Sequence, residues 1–118
     1  MNKVLVVDDD LEILSLVEII LGMNKFEVSA ISQWEKIDTS IDAFKPDLLL
    51  LDVSLGGADG REICKRLKES KETQDLPVIL FSANAIPGND LADCNAQDFI
   101  AKPFELSHLV KTIQTHLN

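Results

Sequence analysis

The residues of this chain best suited to chemistry are carboxylates that follow apolar runs. Leu48-Leu49-Leu50-Leu51 ends in Asp52, and Val4-Leu5-Val6-Val7 ends in Asp8-Asp9-Asp10. Four consecutive apolar residues read as a strand buried on both faces, and in open α/β sheets the functional crevice lies at the carboxyl ends of the strands. Two further predicted strands end in polar groups: Val78–Phe81 runs into Ser82-Ala83, and Phe99-Ile100-Ala101 into Lys102-Pro103. On a parallel sheet all four ends reach the same rim. Carboxylates crowded there raise one another's pKa unless a cation is present, and a hard divalent ion with oxygen ligands, Mg2+, answers that need. An acid cluster with a metal, a lysine and a hydroxyl suits a phosphoryl group, whose transfer depends on positioning and charge neutralisation more than on covalent help. Asp52 is then the candidate nucleophile, since a carboxylate can form an aspartyl-phosphate.

The elements between these strands must hold them in register. Asp10 is placed to cap a first helix, as a cap rather than a ligand, with Glu12 suiting its dipole. Ile13, Leu14, Val17, Ile20 and Leu21 follow at helical spacing, and Gly22 is the expected stop. Phe26, Val28 and Ala30 alternate with polar residues, as in a more exposed second strand. Ser32-Gln33-Trp34-Glu35 fits a capping box, opening a helix that turns Trp34, Ile37, Ile41 and Phe44 inward before Pro46. Leu55-Gly56-Gly57-Ala58 reads as a flexible loop, and Asp59-Gly60 as the start of a helix with Ile63 and Leu67 inward. Pro87-Gly88 interrupts the segment Asn84–Asn95, where only Asn89–Cys94 is expected to form a short helix. Leu106, Leu109, Val110, Ile113 and Leu117 define a terminal amphipathic helix. Strands alternating with helices predict an α/β fold: a doubly wound parallel sheet with right-handed crossovers and helices on both faces. No repeat, linker or low-complexity stretch interrupts the pattern.

With 118 residues the chain is expected to form one domain, 1–118, around one core. Its 20 acidic and 11 basic residues leave a net charge of −9. That disfavours direct contact with nucleic acid or an anionic membrane, which calls for a phosphate-neutralising Lys/Arg stripe, and favours cations or basic partner surfaces. The apolar runs are too short to span a bilayer and no signal-like segment opens the chain, so a cytoplasmic location is expected. Cys64 and Cys94 form no metal-ligand pattern and are expected as reduced, partly buried thiols. His108 and His116 are expected as solvated residues of the terminal helix.

In their order and spacing, Asp8-Asp9, Asp52, Ser82-Ala83 and Lys102-Pro103 make the chain resemble, end to end, the receiver domain of bacterial two-component response regulators. The resemblance implies a flavodoxin-like sheet of five strands in the order 2-1-3-4-5. It implies that Asp52 is the phospho-acceptor, charged by a phosphohistidine on a sensor histidine kinase or a histidine phosphotransfer protein. Asp9 would bind Mg2+ directly, Asp8 would act mainly through water, and the backbone carbonyl of Ser54 would be a further ligand. Ser82 resembles the switch hydroxyl, Ala83 its small neighbour and Phe99 the switch aromatic. Lys102 resembles the phosphate-binding lysine, with a cis peptide before Pro103. The output would be a conformational change that controls an output domain or partner protein. As a long cation at the rim, Lys102 is expected to stay solvated, and Asn84–Asn95 to be the most mobile part of the readout surface. Gly56 stands where the family commonly has proline, the stretch from Ser82 to Lys102 is shorter than usual, and Phe99 lacks a tyrosine hydroxyl.

Two other readings use the same residues. An aspartate-nucleophile phosphatase or dehalogenase-like hydrolase resembles a strand followed by Asp-x-Asp-x-Thr/Val. Asp8-Asp9-Asp10 supplies the two acids, but Glu12 occupies the Thr/Val position and Ser54 follows Asp52 where an acid would stand. A non-phosphorylated receiver-like interaction module generally lacks an acid, the hydroxyl or the lysine, all of which are present here.

Overall fold

Val4–Val7, Leu48–Leu51 and Val78–Phe81 are wholly shielded from solvent, which a strand achieves only when both faces of its sheet are covered. The computed structural model describes residues 2–83 and 92–117. Its elements are β1 (Lys3–Val7), α1 (Leu11–Met23), β2 (Glu27–Ile31), α2 (Ile37–Phe44), β3 (Leu48–Asp52), α3 (Gly60–Glu69), β4 (Val78–Ser82), β5 (Asp98–Ala101) and α4 (Leu106–Thr115). The strands pair in parallel in the order β2-β1-β3-β4-β5, as the resemblance implied.

The two-residue period of the strands divides the core in two. Val4, Val6, Leu48, Leu50, Ile79, Phe81 and Ile100 pack with Leu14, Val17 and Leu21 of α1 and Leu109 and Ile113 of α4. Leu5, Val7, Leu49, Leu51, Val78 and Leu80 pack on the other face with Ile37 of α2 and Ile63, Cys64 and Leu67 of α3. Edge strand β2 is only half-buried, as its alternating sequence predicts.

Asp10 caps α1 as expected, accepting from the N–H groups of Glu12 (2.9 Å) and Ile13 (3.4 Å). The expected stop at Gly22 is not where α1 ends: the helix continues to Met23, and Lys25 takes the left-handed turn (φ 68°). The Phe26 N–H bonds the Leu21 carbonyl at 3.0 Å, and both side chains are buried in one cluster. That hydrophobic closure, rather than the glycine, sets the boundary. The capping box at Ser32 does not form either. A 3-10 turn over Trp34–Lys36 precedes α2, and its N-cap, Gln33, makes no side-chain cap bond. Trp34 is drawn onto the cluster that buries Ile37, and this tightens the first turn.

Other expectations need smaller corrections. His116 is not merely solvated: its Nε2 lies 2.9 Å from Asp98 Oδ2. Leu106 opens α4 exposed. Cys64 and Cys94 form no disulfide and are fully rather than partly buried. The Cys64 Sγ donates to the Cys94 carbonyl at 3.3 Å, and burial first, then Cys94 itself, pushes the Cys64 thiol up to about 12. The helix expected over Asn89–Cys94 lies mostly outside the described residues, of which 92–94 are helical. No helix among the described residues is long and apolar enough to cross a membrane.

One glycine fixes how closely α3 docks on β3. A Cβ on Gly60 would lie 2.2 Å from the Asp52 carbonyl oxygen and 3.0 Å from the Val53 Cα. The Gly60 N–H instead bonds the Val53 carbonyl at 2.8 Å. Gly60→Ala is therefore expected to cost about 1–3 kcal/mol, as overpacking against backbone does. Chemical denaturation would measure it, and an unchanged midpoint would show that α3 can retreat freely.

Candidate functional site

The parity of the strands decides which polar groups meet. Asp8 continues the Val4/Val6 side of β1, Asp52 the Leu48/Leu50 side of β3 and Lys102 the Ile100 side of β5. All three therefore emerge on one side of the carboxyl rim, over Phe81. Register brings them level, since Val7 pairs with Leu51, Asp52 with Phe81 and Ser82 with Ala101. Ser82 has the opposite parity, that of Val78 and Leu80. Phe99 pairs with Leu80 and packs half-buried on that same face.

Asp8, Asp9 and Asp52 each place a carboxylate oxygen within 4.8 Å of the others. Asp8 and Asp52 are buried and Asp9 is exposed. Asp8 is the most heavily engaged: its Oδ1 accepts from the Asp10 N–H at 2.9 Å and its Oδ2 from Lys102 Nζ at 2.8 Å. Lys102 Nζ is also 3.4 Å from Asp52 Oδ2. The Ser54 N–H donates to Asp52 Oδ1 at 3.3 Å. Burial raises Asp52 from 3.8 to about 6, helped by Asp8 and opposed by Lys102 and Ser54. The carboxylates are thus crowded as their sequence positions suggested.

Lys102 departs from the expectation of a solvated cation. Its side chain is only 15% exposed, its ammonium sits 4.5 Å from the Phe81 ring centroid, and Phe104 packs edge-on against that ring. The buried acids pull it in, because a buried carboxylate without a partner is costly. Sequence reasoning missed Phe81 as the platform beneath this cation; an aromatic in a run of aliphatics was the available signal. It also missed Gly60, whose signal was a glycine in a helix's first turn, where it weakens the helix. The peptide before Pro103 is cis. Ser82 is buried and Ala83 exposed.

The loop after Asp52 has glycine at position 56, where the resemblance implied proline, and its backbone shows the consequence. Gly56 has φ +61° and Gly57 φ +130°. Proline, fixed near −65°, could not occupy the first of these.

A family model described as the response regulator receiver domain matches residues 4–114. The chain belongs to that family. Receiver domains of this kind are regulatory parts of two-component systems. The phosphate regulon transcriptional regulatory protein PhoB of Pseudomonas aeruginosa is 33% identical over 118 residues, covering 98% of this chain and 52% of PhoB. The nisin biosynthesis regulatory protein NisR of Lactococcus lactis is 36% identical, covering 98% of this chain and 50% of NisR. This receiver thus spans about half the length of those relatives. The response regulator TrrA of Thermotoga maritima, solved in complex with Mg2+ and beryllium fluoride, is 26% identical with a TM-score of 0.88, covering 99% of this chain and 100% of TrrA.

Two expectations follow from the receiver's charges. Between about pH 4 and 6 the folded protein holds a proton on Asp52 that the unfolded chain releases, so Asp52 costs stability increasingly as pH rises through that window. With chelator present, Asp52→Asn should raise the unfolding free energy at pH 7.5 by about 1–3 kcal/mol, with the gain fading below about pH 4. A gain that instead grows on acidification would refute this. Lys102→Ala should destabilise, approaching the roughly 3–5 kcal/mol of a buried pair broken on one side; a thermal midpoint equal to the parent's would mean water replaces the ammonium.

Proposed function

We propose that this chain is the phospho-acceptor domain of a two-component or phosphorelay system, with residues 1–118 as one receiver unit. A phosphoryl group passes to Asp52 from a phosphohistidine on a sensor histidine kinase or a histidine phosphotransfer protein. The observation that carries this reading is the cluster itself: three carboxylates within 4.8 Å, two of them tied to one lysine, at the ends of two neighbouring buried strands. The donor set is all hard oxygen and open on the Asp9 side, which suits Mg2+.

The site residues divide the work by their surroundings. Asp9, exposed and without the anchoring bonds of Asp8, is the direct ligand, together with Asp52 and the Ser54 carbonyl. Asp8 already accepts from Lys102 and the Asp10 N–H, and so acts mainly through water. Bound Mg2+ supplies the charge that lets a phosphoryl group approach three acids. Asp52, raised only to about 6, is predominantly ionised above neutral pH and ready as nucleophile. One of its oxygens forms the new P–O bond as the P–N bond to the donor histidine breaks. Lys102 then turns from Asp8 toward the phosphoryl oxygens, and the Ser82 hydroxyl donates to one of them. Phe99 shares the face of Ser82 and moves into the space that β4 gives up. Ala83, small and exposed, leaves the way open. The result acts on an output domain or partner protein.

Incubation with a small phosphoramidate and Mg2+ should add the mass of one phosphate, lost in acid or alkali, to the parent but not to Asp52→Asn. Labelling of that variant at the parent rate, or undiminished labelling in excess chelator, would sink the proposal. Asp9→Asn should weaken Mg2+ binding more than Asp8→Asn does. Amide exchange with Mg2+ and beryllium fluoride should gain protection at Ser82, Ala83 and Phe99–Lys102; protection confined to the Asp52 loop would count against the switch.

A further inference from the structure

The loop that follows Asp52 is pinned at both ends and bare at its apex. Near its ends Ser54 bridges Asp59, Leu55 N–H bonds the Ala58 carbonyl at 3.2 Å, and Gly60 N–H bonds the Val53 carbonyl. The apex is Gly56-Gly57, two glycines in succession, both with positive φ. With no side chains of their own, they carry the greatest backbone freedom any dipeptide has. Two groups from elsewhere flank them. The place a Cβ would take on Gly56 is 3.3 Å from Asp9 Oδ2, and on Gly57 it is 3.6 Å from Trp34 Nε1. The apex therefore lies between Asp9, an acid of the cluster, and the Nε1 edge of the chain's only tryptophan.

Trp34 is itself well anchored. It begins the 3-10 turn that Ile37, 1% exposed, fixes to the core, and it packs half-buried on the cluster containing Leu51 and Leu55. Leu55 is the residue that precedes the glycine pair. The indole thus packs on the cluster that buries the root of the loop and turns its Nε1 edge toward the space beside Gly57. An aromatic plate gives a large, rigid contact at low entropic cost, which is what a diglycine turn lacks.

We propose that Trp34 is a positioning residue for the metal and phosphoryl site, bracing the Gly56-Gly57 apex so that the loop bearing Ser54 stays against Asp9. This rests on the reading of Asp8, Asp9 and Asp52 as a Mg2+ site. The device suits this chain, because two successive glycines leave the apex little rigidity of its own.

The test is Mg2+ binding by calorimetry and tryptophan emission, on the parent, Trp34→Ala and Trp34→Phe. Trp34→Ala should weaken Mg2+ by about three- to tenfold, less than the ten- to hundredfold of a partner bonded directly to a ligand. Trp34→Phe, which keeps an aromatic ring on the cluster but lacks the Nε1 edge that faces Gly57, should fall between the parent and Trp34→Ala. In the parent, emission should shift as Mg2+ saturates and again on adding beryllium fluoride. If the parent binds Mg2+ and Trp34→Ala binds it equally well, the brace is refuted while the metal site stands. If Trp34→Ala fails to fold, the parent decides: emission unmoved across a calorimetrically verified Mg2+ titration refutes the brace. A parent that binds no Mg2+ overturns the metal-site reading and this inference with it.

Discussion

Asp8 and Asp52 end neighbouring central strands, and both carboxylates are withdrawn from water. Among the described residues, Lys102 is the cation within ion-pair distance of both. Three acids thus face one ammonium once Asp9 is counted. Burial makes each unmatched charge expensive, and the strand register leaves the acids no way to separate. The rest of the site reads as a response to that constraint: Lys102 is bent down over Phe81, Asp8 is held by the Asp10 N–H, and Asp52 retains a raised affinity for a proton. A structure built only for stability would not keep this arrangement. On the proposed reading it is poised for a cation, whose charge offsets the acids and so admits a phosphoryl group.

The sheet makes the constraint unavoidable. Parallel strands deliver all their carboxyl ends to one rim, and the two-residue period then sorts side chains between the faces. Asp8, Asp52 and Lys102 share one parity, so they meet; Ser82 and Phe99 share the other, that of the α3 face. On the proposed reading, recognition of charge and transmission of its consequence would be divided between the faces of one sheet, with β4 contributing Phe81 to the first and Ser82 to the second.

Much of this was legible before any coordinate. Fully apolar runs such as Leu48–Leu51 announce strands covered on both faces, and their alternation with helical periods left few topologies. The acids, Ser82 and Lys102 were visible because each ends such a run. What was not legible depended on contacts between distant segments. The end of α1 was set by Leu21 meeting Phe26 rather than by Gly22, and the start of α2 by Trp34 seeking the core rather than by Ser32. Lys102 was expected in solvent because a long cation at the rim can reach it; the buried acids that draw it in come from two other strands. His116 found Asp98 in the same way. Local pattern names the elements, while long-range charge and packing decide which side chains leave the water.

The same charges set how a phosphorylated state could differ from the unphosphorylated one. A ligand shifts a two-state balance only by its difference in affinity for the two states. On the proposed reading, that difference arises mainly at Lys102. In the unmodified protein its charge is already committed to Asp8 at 2.8 Å and to the Phe81 face, so a phosphoryl group must compete for it rather than find it free. The competition is weighted by burial: leaving Asp8 exposes an acid shielded from water, which Mg2+ bound at Asp9 and Asp52 can offset through the shared cluster. Phe99 carries no hydroxyl to lock either rotamer, so the packing of its ring against the Leu80 side of the sheet must balance what Ser82 gains. A switch built this way is graded by the metal, because the cation that admits the phosphoryl group also releases the lysine that recognises it.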